Sequence, residues 1–246
     1  DAGRGFLLIA GSKLYFILTS AVIALGLPRL LGDPARFGEY RVVTGFMTIL
    51  NMVAITAMMQ GVSRLVAESP GARQSIRRSG LLLGGALGGA MALVLVLWPE
   101  PIAALVFRDP TLGRYLRIVA AVSFLYALYG SVVGVLNGER RFRAQAGLDM
   151  MFSTLKVVAV ALGVALGFGA AGAIGGYAAA TVGALAVGTV LLRGHPDAGT
   201  ATSPMGRLVT LVVPLVLTQL MLNVLIQLDG IAIKAAVRAP IEAADP

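Results

Sequence analysis

The chain has no cysteine, a single histidine, a single tryptophan and only 12 acidic residues among its 246. Without cysteine these residues hold no disulfide, no thiolate metal site and no thiol nucleophile, and the redox compartment stays open. His195 stands in the polar stretch HPDAGTATSP with no second histidine to complete a ligand set. No paired-acid motif, phosphate loop ending in Lys-Ser or Lys-Thr, or nucleophile elbow occurs, so the cluster an enzyme needs is missing. No cofactor and no metal are expected. Charge is scarce as well: 13% of residues are charged, against about 25% in a soluble domain. The balance is +8, yet no basic stretch is interleaved with exposed aromatics, which argues against nucleic acid as a partner. Basic connections beside apolar runs instead indicate membrane orientation and contact with membrane lipids.

What is abundant is apolar. Hydrophobic residues make up 57% and mean hydropathy is +0.86. About 20 such residues cross a ~30 Å hydrocarbon core. Seven segments qualify, at 6–31, 38–62, 80–99, 115–137, 145–168, 171–193 and 208–237. The fold class is therefore all-α, a polytopic transmembrane helical bundle. Pro99 to Gly113 reads as a short amphipathic interfacial helix plus a turn. Residues 1–194 form a six-helix unit, 195–206 a linker, and 207–246 a further helix that begins something else. The first run is too long for the core of a signal peptide. The chain starts at Asp1 and stops at Pro246 soon after an apolar run, so both ends are expected to continue in a longer protein. With the N-terminus in the cytoplasm, that side holds ten arginines, including Arg73, Arg77, Arg78, Arg140, Arg141 and Arg143, against seven opposite. The basic excess predicts an N-in orientation, with a cytoplasmic linker.

Lysine is distributed differently. Lys13, Lys156 and Lys234 all lie inside apolar runs, whereas the arginines sit almost wholly in the connections. A cation near the bilayer centre costs roughly 2.5–3.5 kcal/mol on insertion scales, so such residues face protein or water. Lys156, about 10 residues into its run, lies ~15 Å from the entry surface and near mid-bilayer. Its alternatives are the wall of a wet cavity or a buried pair with Asp149 or another acid. Lys13 and Lys234 lie nearer opposite surfaces, where they can also act as interfacial anchors.

Small and polar residues divide the helices by face. In the third run Gly80, Gly84 and Gly88 recur every four residues, with Gly85 and Gly89 alongside; in the sixth, Gly172, Gly176, Ala180, Ala184 and Gly188 do the same. This spacing predicts close backbone packing rather than a ligand role. Polar stripes mark other helices: Arg41, Thr44, Thr48 and Asn51 in the second; Ser123, Tyr126, Gly130, Gly134 and Asn137 in the fourth; Asp149, Ser153 and Lys156 in the fifth. In the seventh, Gln219, Asn223, Gln227, Gly230 and Lys234 fall within an arc of about 80°, while Asp229 lies off that face. In the first, Lys13, Phe16 and Ser20 share a side. The candidate cavity residues are Lys13, Asn51, Lys156, Gln219, Asn223, Gln227 and Asp229.

LPRLLGDPARFGEYRVVTGFMTIL resembles the signature that follows the first helix of polysaccharide flippases in the multidrug/oligosaccharidyl-lipid/polysaccharide exporter superfamily. Arg29, Leu31, Gly32, Phe37, Gly38 and Tyr40 occupy its places. GVLNGERRFRAQAGLDMMFSTLK is similar to that family's fourth-to-fifth connection, with Gly138, Arg140, Arg141, Phe142 and Lys156 matching. GFGAAGAIGGYAAATVGAL resembles its entry to helix six, and VPLVLTQLMLNVLIQLDGIAIK the start of a second lobe, where an aspartate at the place of Asp229 is frequent. The resemblance implies two six-helix lobes around a central cavity. This chain would hold the N-terminal lobe and the first helix of a truncated second one. It further implies a bacterial cytoplasmic (inner) membrane protein that exports a lipid-linked oligosaccharide, a precursor of cell-surface polysaccharide or lipopolysaccharide, by alternating access. A coupling cation is an open partner. The alternatives are a drug/cation exporter of the same superfamily and a polytopic lipid-modifying enzyme.

Overall fold

Each apolar run forms a helix, and most overshoot the expected ends. The computed structural model describes the backbone of residues 2–193 and 204–242, with side chains over 7–69, 71–193 and 204–223 and at Leu225. The elements are α1 (Ala2–Leu31), α2 (Pro34–Glu68), α3 (Arg73–Leu97), α4 (Pro99–Phe107), α5 (Gly113–Gly138), α6 (Phe142–Gly163), α7 (Gly169–Leu191) and α8 (Met205–Glu242). There is no strand among the described residues. The overshoot carries Arg64, Glu68 and Arg73 into helical turns, because a helix continues past the hydrocarbon edge while its backbone bonds are satisfied. The expected linker lies mostly outside the described residues.

Local chemistry sets the turns. Gly32, at φ 64°, closes α1, and Asp33 caps α2 by accepting the Ala35 N–H at 2.8 Å. Pro34 follows at the first helical position, where its missing N–H is not needed. The expected short helix at Pro99 is α4; Asp109 then caps a 3₁₀ turn, Pro110–Leu112. Hydrogen bonds from the Thr111 hydroxyl and amide hold the Asp109 carboxyl below its usual range.

Six helical stretches are long and apolar enough to cross a membrane. The longest, Phe142–Leu191, has 50 residues and folds back on itself through a π turn, Val164–Phe168. Gly167 and Gly169 supply the positive φ values, 87° and 56°, that the reversal needs. Beyond the reversal Gly163 faces Gly172, Gly176 faces Val160 and Gly188 faces Leu148, an antiparallel hairpin of α6 and α7. The seven predicted runs are thus present as seven legs.

The glycine faces do what their spacing predicts. A Cβ on Gly84 would stand 2.8 Å from Ser131 Oγ and 2.9 Å from the Ala127 carbonyl oxygen, so α3 lies backbone-close on α5. Gly89 faces open space and Gly85 only a Leu128 methyl, so neither contributes. The fourth run's stripe needs correction. Gly130 and Gly134 sit on the backbone of α2, at Ile55 and Met59, and form a second packing face rather than a polar wall. That face makes α5 the central helix, buried between α2 and α3.

Two apolar cores result. One gathers Leu27, Val43, Met47, Leu116 and Ile174 toward the α1–α2 turn; the other gathers Met58, Leu65, Ile76, Leu136 and Leu208 toward the opposite end. Between them in chain register lie buried polar groups: Asn51, Ser123, Asp149, Ser153, Lys156 and Thr181. The site forms at this level.

Candidate functional site

α1 leans on α6 and touches α2 little, which leaves a cleft between α1 and α2 backed by α6 and α7. The cleft is a cavity of about 550 Å³. α1 contributes Phe16 and Ser20, α2 its polar stripe from Arg41 to Asn51, α5 Tyr126, α6 Lys156 and α7 Tyr177. Thr44 and Thr48 donate back to the carbonyls of Tyr40 and Thr44 at 2.7 Å each, which satisfies both hydroxyl protons and leaves their oxygens as acceptors toward the cavity. Tyr40 and Tyr177 meet hydroxyl to hydroxyl at 3.0 Å and tie α2 to α7.

Lys156 is the centre of the site. It is 3% exposed, and its Nζ donates to Ser20 Oγ at 3.1 Å. The ammonium lies 3.9 Å from the Phe16 ring centroid and 5.9 Å from that of Tyr177. Aromatic faces attract a cation without cancelling its charge. Among the described residues no carboxylate lines the cavity, and Arg41 adds a second, exposed cation. Asn51 is buried on the α2 wall with its Oδ1 lacking any partner among the described residues. The wall is mostly apolar and aromatic, with Ile23, Met47, Met52 and Ile55 among its residues, and it carries a cation and several hydroxyls. It is suited to an anion that bears hydrogen-bond donors.

The alternative pairing of Lys156 with Asp149 is not formed. Asp149 instead accepts from Lys13 at 3.2 Å and from the buried Tyr129 hydroxyl at 2.9 Å. Lys13 reaches from α1 to α6, and Lys156 reaches from α6 back to α1, each across a separation of 136 residues. The two helices run parallel in that register. Of the expected cavity residues, Asn51 and Lys156 come together here, whereas Lys13 is drawn onto Asp149 and does not line the cavity. Gln219 and Asn223 lie on α8, away from this wall, with the Asn223 amide donating to the Gln219 carbonyl at 2.7 Å. The side chains of Gln227, Asp229 and Lys234 lie outside the described residues. As cavity residues Tyr177 and Tyr40 were left out by sequence reasoning, although Tyr40 falls in the flippase signature and stands four residues before Thr44 on the polar face of α2. Phe16 and Ser20 were readable as companions of Lys13 on one face.

A second cleft, about 580 Å³, lies between α2, the end of α5 and α8, lined by Gln60, Ser63, Arg64, Asn137 and Thr210 among others. Its arginine is held by Glu68 at 2.9 Å, and Arg207 joins the same carboxylate at 2.6 Å. Among the described residues no three His, Asp or Glu gather as a metal would require.

The arrangement is that of a multi-pass membrane bundle with a polar chamber inside one helical lobe. The chain belongs to the polysaccharide biosynthesis protein family, whose model matches residues 27–237. No curated protein matches the sequence. Solved structures with the same fold include a MOP superfamily transporter from Pyrococcus furiosus described by the reverse polarity of its binding pocket. It shares 18% identity at a TM-score of 0.71, over 91% of this chain and 54% of its own. An outward-facing multidrug resistance MATE family transporter matches equally, at 18% identity, a TM-score of 0.71 and the same coverage. A MATE transporter in complex with MaD3S aligns at a TM-score of 0.74 and 17% identity, over 96% of this chain and 58% of its own. The chain spans slightly more than half the length of these structures. The family match agrees with the polysaccharide side of the resemblance read from the sequence, and these solved structures share the chain's fold.

Proposed function

We propose that the protein to which this chain belongs translocates a lipid-linked oligosaccharide, a precursor of surface polysaccharide, across a bacterial inner membrane by alternating access. One observation carries the choice of cargo. A buried ammonium, Lys156, lines a cavity whose wall holds no carboxylate among the described residues. An uncompensated cation in a low-dielectric, part-wet space attracts an anion far more strongly than in bulk water. The pyrophosphate of a polyprenyl carrier supplies such an anion, the hydroxyl-bearing wall replaces water around sugar hydroxyls, and the polyprenyl tail stays in lipid. In this reading α8 opens a second lobe, the N-terminus is cytoplasmic, and the lobes rock about a site near the bilayer midplane. A coupling cation completes the cycle. The family supports polysaccharide traffic, and the fold supports export rather than catalysis.

Drug or cation export is the second reading, favoured by the MATE neighbours. It calls for an acidic binding wall, and here Asp149, the acid on the described part of α6, is held by Lys13 and Tyr129. The deciding experiment is deletion of the parent gene. Lipid-linked repeat units should accumulate on the cytoplasmic leaflet, with no change in sensitivity to cationic drugs. Drug hypersensitivity without accumulation would establish the second reading, and sugar-donor incorporation by the purified protein would establish an enzyme.

A further inference from the structure

Two unmet demands in the chamber specify more than an anion. Lys156 has three N–H donors; Ser20 accepts one, and Phe16 offers only a π face, so two donors and the full charge remain for an occupant. Asn51 presents the complementary demand. Its Oδ1 is an acceptor on a residue only 3% exposed, with no donor in reach among the described residues. A buried acceptor calls for a donor, and Asn51, unlike the other unmatched groups, lines the cavity where an occupant can supply one. A simple inorganic dianion answers Lys156 but has little to donate to Asn51. A polyol answers Asn51 but leaves the ammonium bare.

Size narrows the choice. α2 rises ~15 Å between Arg41 and Asn51, and the volume of about 550 Å³ is that of a small-molecule site. A sugar or two fills this stretch of wall.

We infer that the chamber reads one sugar residue that carries its own anionic group. The anion lies on Lys156, a ring hydroxyl donates to Asn51 Oδ1, and Asn51 determines specificity. This rests on the export reading above and goes beyond it, because selection falls on a single residue of the cargo. The anion is either a ring carboxylate, as in a uronic acid within the glycan, or a phosphate on the anomeric carbon, as in the residue joined to the carrier.

The test is calorimetric titration of the full-length parent in lipid nanodiscs with glucuronate, glucose 1-phosphate, glucose and inorganic phosphate. At least one sugar anion should bind at millimolar concentration or better, about tenfold tighter than glucose. Lys156→Gln should erase that advantage. Asn51→Ala should weaken the sugar anion severalfold and leave inorganic phosphate unchanged, with Asn51→Ser as the milder variant and the melting midpoint checked for each. Preference for glucuronate places the anion within the glycan; preference for glucose 1-phosphate places it at the carrier. Phosphate binding as tightly as the sugar anions, an Asn51→Ala variant indifferent to the ring, or no binding by any of the four would overturn the inference. Lipid-linked units accumulating in the deletion strain alongside such a failure would remove this inference alone. No accumulation would remove the reading beneath it.

Discussion

At Lys156 the removal of charge and the removal of structure separate. The side chain donates one hydrogen bond, to a serine, and otherwise faces the chamber. Lys156→Ala in the intact parent should abolish surface polysaccharide while the membrane level of the protein stays near normal; surface staining beside a membrane immunoblot checks both. Asp149 is the opposite case. Its carboxylate satisfies the buried Tyr129 hydroxyl, so Asp149→Ala strands a donor and should destabilise by about 1–3 kcal/mol. Lys13→Ala removes an ammonium whose side chain is 62% exposed and leaves the Tyr129 hydroxyl its acceptor. Thermal unfolding in detergent should rank Asp149→Ala well below Lys13→Ala, and a reversed order would mean that the lysine, not the tyrosine, fixes the carboxylate. Which acid met which lysine was not written in the sequence. Asp149 and Lys156 share a face of α6, but their partners stand 136 residues away, on a parallel helix whose register no local pattern sets.

Among the elements, the glycine faces of α3 and α7 were legible because lipid removes the hydrophobic drive between helices. Close approach then has to be encoded by size at i and i+4. The same signal was misread on α5, where Gly130 and Gly134 shared an arc with Ser123, Tyr126 and Asn137 and looked like part of a polar wall; their carbonyl-close neighbours on α2 show otherwise. The α6–α7 reversal was readable from its glycines, and the chamber's aromatic side only in part: Tyr40 falls in the flippase signature, while Tyr177 looks like an ordinary apolar-helix residue. A paired substitution tests the packing claim. Gly84→Val collides with α5 backbone and should sharply lower folded yield, measured by size-exclusion profile, whereas Gly89→Val meets open space and should leave it unchanged. Equal behaviour of the two would mean that α3 is held by something other than backbone proximity.

For the whole molecule, the absence of cysteine from these 246 residues lets single introduced cysteines report sidedness in a parent freed of any others. The turns at 69–72 and 139–141 fall at one end of the bundle, and those at 32–33 and 108–112 at the other. With an N-in chain, Gly71→Cys and Arg140→Cys should resist a membrane-impermeant thiol reagent in intact cells and react after permeabilisation, while Thr111→Cys reacts from outside. The inverse pattern would turn the chain over and place Arg73, Arg77 and Arg78 against the positive-inside rule.

The opposed reach of Lys13 and Lys156 has a mechanical meaning. A tether from α1 to α6 and another from α6 to α1, two helical turns apart, oppose axial slip in both directions, so the two rods travel as one strut. In the proposed export cycle cargo would then enter where this strut parts from α2, since α2 is held to α5 at Gly130 and Gly134 and to α7 by the tyrosine latch. Joining Tyr15→Cys to Thr154→Cys, whose native hydroxyls stand 2.8 Å apart, with a short bismaleimide should leave the pump running; stapling α1 to α2 should stall it.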